Sequence, residues 1–191
     1  YLASQSPRRK QLLEQIGVRY ELLLATPDED AESLERVIPG EAPLTYVKRV
    51  TQLKLEAAVK RMQARGLKPA PVLCADTTVA LGRVILGKPE NAQDAVRILK
   101  TLSGQTHRVL TAVAVASGRR RLLSVSVSKV TFAPMKLSEI KAYVASGEPF
   151  GKAGAYGVQG MAAAYISDIQ GSYTGIMGLP LFETSVLLKN I

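Results

Sequence analysis

The sequence predicts an α/β or α+β fold built on a mixed sheet with flanking helices. Long β-rich runs alternate with amphipathic helical stretches along the chain. One strand-like run, 71–75, is wholly apolar, as a strand covered on both faces would be. No internal repeat or low-complexity linker interrupts the pattern, so the 191 residues read as one domain, 1–191.

The elements follow in order. Tyr1-Leu2-Ala3 reads as a short strand running into Ser4-Gln5-Ser6-Pro7 and an amphipathic helix. Ser6 suits the N-cap and Pro7 the first helical position. Residues 19–24 read as a strand, followed by an acidic loop, Thr26-Pro27-Asp28-Glu29-Asp30-Ala31-Glu32. Over 43–65 the pattern is helical, with Tyr46, Val50, Leu53 and Ala57 on one face, Lys54 at its edge and Gly66 as the stop. The strand at 71–75 gives way to a loop at Asp76-Thr77-Thr78, and a hairpin turns at Gly82-Arg83. Asn91 caps a helix carrying Ala95, Val96, Leu99 and Leu102, which Ser103-Gly104 ends. Two long β runs, 106–116 and 122–132, flank a basic tip, Arg119-Arg120-Arg121. Ser138 caps a short helix, a glycine-rich segment covers 146–160, a strand covers 163–169, and a last helix ends at Leu188.

Composition narrows the function. The net charge of +9 points to nucleic acid or to small anionic metabolites. With seven Tyr, three Phe and no Trp, none interleaved with basic residues, a base-stacking platform is disfavoured. Arg119–121 read as a solvated hairpin tip. Cys74 is the only cysteine, which excludes an internal disulfide and favours a reducing cytoplasm. No run is long enough to span a membrane as a helix. The opening lacks a signal-peptide pattern, and the missing initiator Met implies a few residues upstream.

The first helix begins with the wrong charge. Arg8, Arg9 and Lys10 occupy the turn where Asp or Glu is normally preferred. Either the turn is simply solvated, or an anion sits there; Ser4, Ser6, free backbone N–H groups and a guanidinium pair suit a phosphate. Asp76, read at the end of a buried strand, suits a ligand group, holding a divalent metal or activating a water, or else a turn cap. Glu29, with Asp28 and Asp30, is a second carboxylate source or a solvated loop. Lys54 and Lys88 can each neutralise a phosphate or stand as ordinary surface lysines. Gln159, in the five-glycine segment, offers an amide suited to a nucleobase edge, or belongs to a lid that touches no base. His107 reads as structural and Cys74 as inert core.

Taken together, Leu2-Ala3-Ser4-Gln5-Ser6-Pro7-Arg8-Arg9, Ala75-Asp76-Thr77, Gly87-Lys88-Pro89, Leu102-Ser103-Gly104 with His107, Ser146-Gly147-Glu148-Pro149, Lys152-Ala153-Gly154-Ala155-Tyr156-Gly157 with Gln159-Gly160, and Gly171-Ser172-Tyr173 with Gly178-Leu179-Pro180-Leu181 resemble the Maf proteins over the whole chain. These are nucleoside triphosphate pyrophosphatases related in fold to the inosine triphosphatases. The resemblance implies two lobes with a deep cleft, commonly a homodimer, hydrolysis to monophosphate and pyrophosphate, and a divalent cation, Mg²⁺ or Mn²⁺. It also implies an association with inhibition of septum formation. Arg8, Thr77 and Gln159 match the dTTP/UTP subfamily and are by resemblance the specificity positions, with Asp76 the general base. Glu29 would complete the metal site with Asp76; Ser4, Arg9, Lys54 and Lys88 would meet the phosphates. Gly151 stands where an acidic residue is frequent, and Met161-Ala162 where Gly-Gly is frequent. Two other readings compete: a basic nucleic-acid-binding module, and a non-catalytic interaction protein of cell division.

Overall fold

Valine and threonine recur along the two longest strands, and the tight turn at Gly118 folds them onto each other. Its φ of +53° is a left-handed value that glycine adopts without a Cβ penalty. The computed structural model describes residues 1–26, 29 and 33–191. In it these strands are β3 (Thr106–Ser117) and β4 (Arg120–Phe132). β1 (Val72–Leu81) lies against β3, β2 (Val84–Leu86) lies outside β1, and β5 (Ile166–Gln170) borders β4. The sheet order is therefore β2-β1-β3-β4-β5.

The mixed α/β class is as the sequence predicts. The five strands, however, all pair antiparallel. Parallel contact is confined to two isolated bridges that Leu2 makes with Leu22 and Leu73. The reason is the β1–β2 hairpin, which reverses the chain; α3 then carries it across β1, so β3 runs parallel to β2 but antiparallel to the β1 that lies between them. The strand expected over 19–24 is reduced to the single bridge at Leu22.

Both faces of the central strands are covered. α2 (Pro43–Ala64) packs on one face, where Val72, Cys74, Ala114 and Ala116 meet Leu55, Ala58 and Val59. Ala80, Leu110 and Ala112 of the same face meet Tyr46, Val47 and Val50. Leu73, Ala75, Val79, Val109, Val113 and Val115 point the other way, into a cluster reaching from Leu2 to Leu187. That cluster takes in α1 (Pro7–Gln15), α3 (Ala92–Leu102) and α4 (Leu137–Ala145).

α2 is rotated from the predicted stripe. Leu53 is 40% exposed, whereas Leu55 is buried, because the helix turns Lys54 toward a carboxylate on the sheet. Asn91 caps α3 as expected, its side chain accepting from the Asp94 N–H at 2.9 Å. Ser6 makes no such bond. Ser138 is the second residue of α4; Lys136 holds the cap position, and Glu139 accepts from its N–H. A short helix unforeseen in the sequence, α5 (Tyr173–Met177), precedes α6 (Leu181–Lys189). Ser172 starts α5 by accepting from the Gly175 N–H. Among the described residues no helix is long and apolar enough to cross a membrane.

Candidate active site

β1 has an open stretch of edge. Leu2 bridges it at Leu73, and β2 pairs with it only from Val79 onward. Between these contacts, among the described residues, nothing pairs with the outer side of β1. A cavity of about 1010 Å³ opens there, and Ser4, Arg8, Arg9, Glu29, Lys54, Asp76, Thr77, Lys88 and Gln159 all line it. Asp76 does not end its strand, as the sequence reading had it. β3 carries the ladder on through the Asp76↔Ala112 and Thr77↔Thr111 pairs, and the β-branched threonines suit the pleat. The two-residue period of the strand then sends Asp76 and Thr77 to opposite faces. Asp76 meets α2, and Thr77 meets α1.

The α1 wall holds the arginines. Arg8 Nε donates to the Met177 carbonyl at 3.2 Å and Arg9 Nε to the Gly178 carbonyl at 2.8 Å. These are end carbonyls of α5, which lack helical partners of their own. Arg9 Nη1 also donates to Ser4 Oγ at 3.1 Å, and Nη2 approaches Thr77 Oγ1 at 3.5 Å. Every acceptor is neutral. Among the described residues neither guanidinium has a carboxylate within ion-pair distance. Burial lowers the pKa of both, and for Arg9 the Asp76 carboxylate opposes that shift. Guanidinium groups nonetheless stay protonated. This wall presents two half-buried positive charges that no carboxylate among the described residues pairs with.

The α2 wall is built oppositely. Lys54 Nζ sits between Asp76 Oδ1 at 2.6 Å and Glu35 Oε1 at 2.7 Å, and Lys88 Nζ donates to Glu35 Oε2 at 2.8 Å. Burial pushes the Glu35 carboxyl up, but Lys54 and Lys88 outweigh it and hold it down at about 2. Glu35 ends a 3₁₀ turn, Ser33–Glu35, and lines the cavity. The sequence reading did not single it out, because nothing in an acid-rich stretch distinguishes one glutamate from its neighbours. Glu29 is elsewhere engaged. Arg61 Nε and Nη2 donate to its carboxylate at 2.6–2.9 Å, and those bonds hold its pKa down at about 2. Glu29 and Asp76 thus bind different cations, whereas Glu35 and Asp76 share Lys54. Asp28 and Asp30 lie outside the described residues.

The glycine-rich segment forms the third side. Gln159 is exposed at its rim. Gly154 N–H donates to the Gly87 carbonyl at 3.0 Å, tying this segment to the turn that carries Lys88. At Gly154 the φ is +71°, and a Cβ would stand 2.9 Å from Val79, so glycine is required on both counts. Ala155 follows at φ +59°, a left-handed value unusual for alanine. Tyr156 anchors the far end through its hydroxyl, 2.8 Å from His107 Nε2, and both rings pack edge-on with Phe132. Burial lowers the His107 pKa to about 4, so it is neutral and structural, as expected. Cys74 is buried with its thiol pushed up to about 12. Lys152, which donates to the Glu148 carbonyl, is a further cation on the cavity that the sequence reading did not assign.

No group of three or more Asp, Glu, His or Cys side chains converges among the described residues. Two carboxylates that share one ammonium are still a suitable partial shell for a hard divalent cation. Mg²⁺ is commonly bound by one or two carboxylates, with water and phosphate oxygens supplying the rest.

A cleft at an open sheet edge, with guanidinium groups free of carboxylates on one side and lysine-paired carboxylates on the other, marks an α/β protein with a site suited to phosphorylated anions. The chain belongs to the Maf family: the model described as "Maf-like protein" matches residues 1–191. It is 67% identical over 189 residues to the dTTP/UTP pyrophosphatase of Polaromonas sp. strain JS666, covering 99% of this chain and 94% of the relative. It is 65% identical over 190 residues to that of Albidiferax ferrireducens, covering 100% and 95%. It is 61% identical over 189 residues to that of Cupriavidus pinatubonensis, covering 99% and 94%.

Proposed function

We propose that the chain hydrolyses nucleoside triphosphates, dTTP and UTP above others, to the monophosphate and pyrophosphate. One observation carries this reading: unneutralised Arg8 and Arg9 share a single cavity with the buried carboxylate Asp76. The names of the relatives supply the nucleotide class.

In this reading water attacks the α-phosphorus, the bond to the α–β bridging oxygen breaks, and pyrophosphate leaves. Asp76 takes the proton of the attacking water. Arg9, Lys54 and Lys88 offset the charge that develops on the phosphates, and Ser4 donates to a phosphate oxygen. Substrate phosphates replace Glu35 on Lys54 and Lys88, which frees both lysines and Glu35 together. A divalent cation, Mg²⁺ or Mn²⁺, would further polarise the phosphoryl group. Asp76 and Glu35 are the side chains placed to hold it; Glu29, which the resemblance implies, would join them only by leaving Arg61. Arg8, Thr77 and Gln159 select the base, since a site that hydrogen-bonds a base edge rejects a base that leaves its groups unmet. A cytoplasmic homodimer and an influence on septum formation complete the reading that the resemblance implies.

The test is pyrophosphate release across a panel of ribo- and deoxynucleotides with Mg²⁺ or Mn²⁺. Activity on dTTP and UTP that vanishes in Asp76→Asn supports the reading, and undiminished turnover in that variant removes the general base. Sedimentation of the purified chain tests the dimer. Expression of the inactive variant in dividing cells tests whether any septum phenotype needs catalysis.

A further inference from the structure

Behind Thr77, and outside the lining of the cavity, stands Thr111, which is wholly buried on β3. Its Oγ1 lies 2.7 Å from the Gly175 carbonyl and 3.0 Å from Thr77 Oγ1. A carbonyl oxygen can only accept, and a threonine hydroxyl has one hydrogen to give. Thr111 therefore spends its hydrogen on Gly175. In the contact between the two threonines Thr77 must then be the donor. That uses the one hydrogen of Thr77 and leaves its Oγ1 an acceptor on every other side. Arg9 Nη2, which can only donate, approaches that oxygen at 3.5 Å, which is compatible with this direction.

We propose that Thr111 is a specificity-determining positioning residue: by fixing the direction of the Thr77 hydroxyl it makes the site select pyrimidines that carry a hydrogen on N3. The inference rests on the reading that Thr77 and Gln159 meet the N3 and O4 edge of the base. Uracil and thymine carry N3–H, which a hydroxyl oxygen can accept. Cytosine presents a bare lone pair at N3, and a Thr77 with no hydrogen to offer meets it with another lone pair. The discrimination is thus set one residue away from the ligand, by a side chain that never touches it.

The experiment compares kcat/KM for UTP and CTP in the wild-type protein and in Thr77→Val, Thr111→Val and Thr111→Ser. Thr111→Val keeps the shape but frees the Thr77 hydrogen, and the UTP-to-CTP ratio should fall about tenfold, the worth of one such hydrogen bond. Thr111→Ser keeps the hydroxyl and should keep the ratio. A purely structural role for Thr111 would lower both substrates together and leave the ratio alone; that result, with a collapsed ratio in Thr77→Val, overturns the proposal while sparing the base reading. An unchanged ratio in Thr77→Val removes the base reading itself. Should Thr111→Val fail to fold, Thr111→Ala, which also frees the Thr77 hydrogen, is read the same way: a UTP-to-CTP ratio about tenfold lower supports the proposal, and a ratio equal to that of the wild-type protein refutes it.

Discussion

The α1 and α2 walls of the cavity both carry cations, and they hold them by different means. Arg8 and Arg9 rest on the neutral carbonyls of Met177 and Gly178, so their charge is positioned but not cancelled. Lys54 and Lys88 are cancelled by Asp76 and Glu35. A polyanion therefore meets standing attraction on one side and a closed ion-pair network on the other. On the proposed reading the first wall sets capture, because its charge acts at range in a partly dry site. On the same reading the second sets chemistry, because its carboxylates become available only when its lysines find other anions. This difference also explains how three cations can start a helix with no acidic partner among the described residues: the end of α5 supplies acceptors to two of them.

Removing the proposed base from the second wall should have the largest effect. Asp76→Asn is expected to lower kcat by about 10²–10⁴-fold, read as pyrophosphate release at saturating nucleotide. A loss in KM alone would move Asp76 from chemistry to binding and blur the contrast between the walls. Next comes the first wall. Arg9→Ala should cost about 10²–10³-fold in kcat/KM on every nucleotide. Arg8→Ala should mainly reduce the preference between UTP and other triphosphates. Equal losses in both variants across a nucleotide panel would undo that division of labour.

Glu35→Gln sharpens the account of the second wall. If Asp76 and Glu35 together hold the cation, the Mg²⁺ concentration for half-maximal rate should rise on the order of tenfold. A lower KM for nucleotide with unchanged Mg²⁺ dependence would instead make Glu35 only a competitor for Lys54 and Lys88. The smallest effect concerns stability in acid. The folded-state pKa of Glu35 is about 2, below its ordinary 4.5. Its ion pairs therefore stabilise the fold fully above pH about 4.5, and that contribution is lost as pH falls toward about 2. Chemical denaturation followed over that window should show a shallower decline for Glu35→Gln than for the wild-type protein. The α1 wall, with no carboxylate partner among the described residues, should give no such change in Arg8→Ala.

Much of this was legible along the chain. The helices at Pro7, Pro43 and Asn91, the β3–β4 hairpin and nine cavity residues follow from caps, periods and motifs, because those signals are local. Other features depend on where the chain returns. Asp76 looked like a strand end because Thr77 and Thr78 resemble turn residues until β3 is there to pair with them. Glu35 had no signature, since its role comes from two lysines distant in sequence. α5 is five residues long, too short to show a helical period.

By itself, the sequence determined the α/β class and the cationic first turn, because residue type and spacing carry those signals, and its motifs, through the resemblance they carry, named nine of the side chains that line the cavity. Only the tertiary structure decided which charges are cancelled and which stand free. It put Arg9 on a neutral carbonyl, Lys54 between two carboxylates and Glu29 on Arg61. Coulomb interaction and hydrogen-bond direction depend on ångström separations between residues far apart in the chain, and folding alone sets those separations.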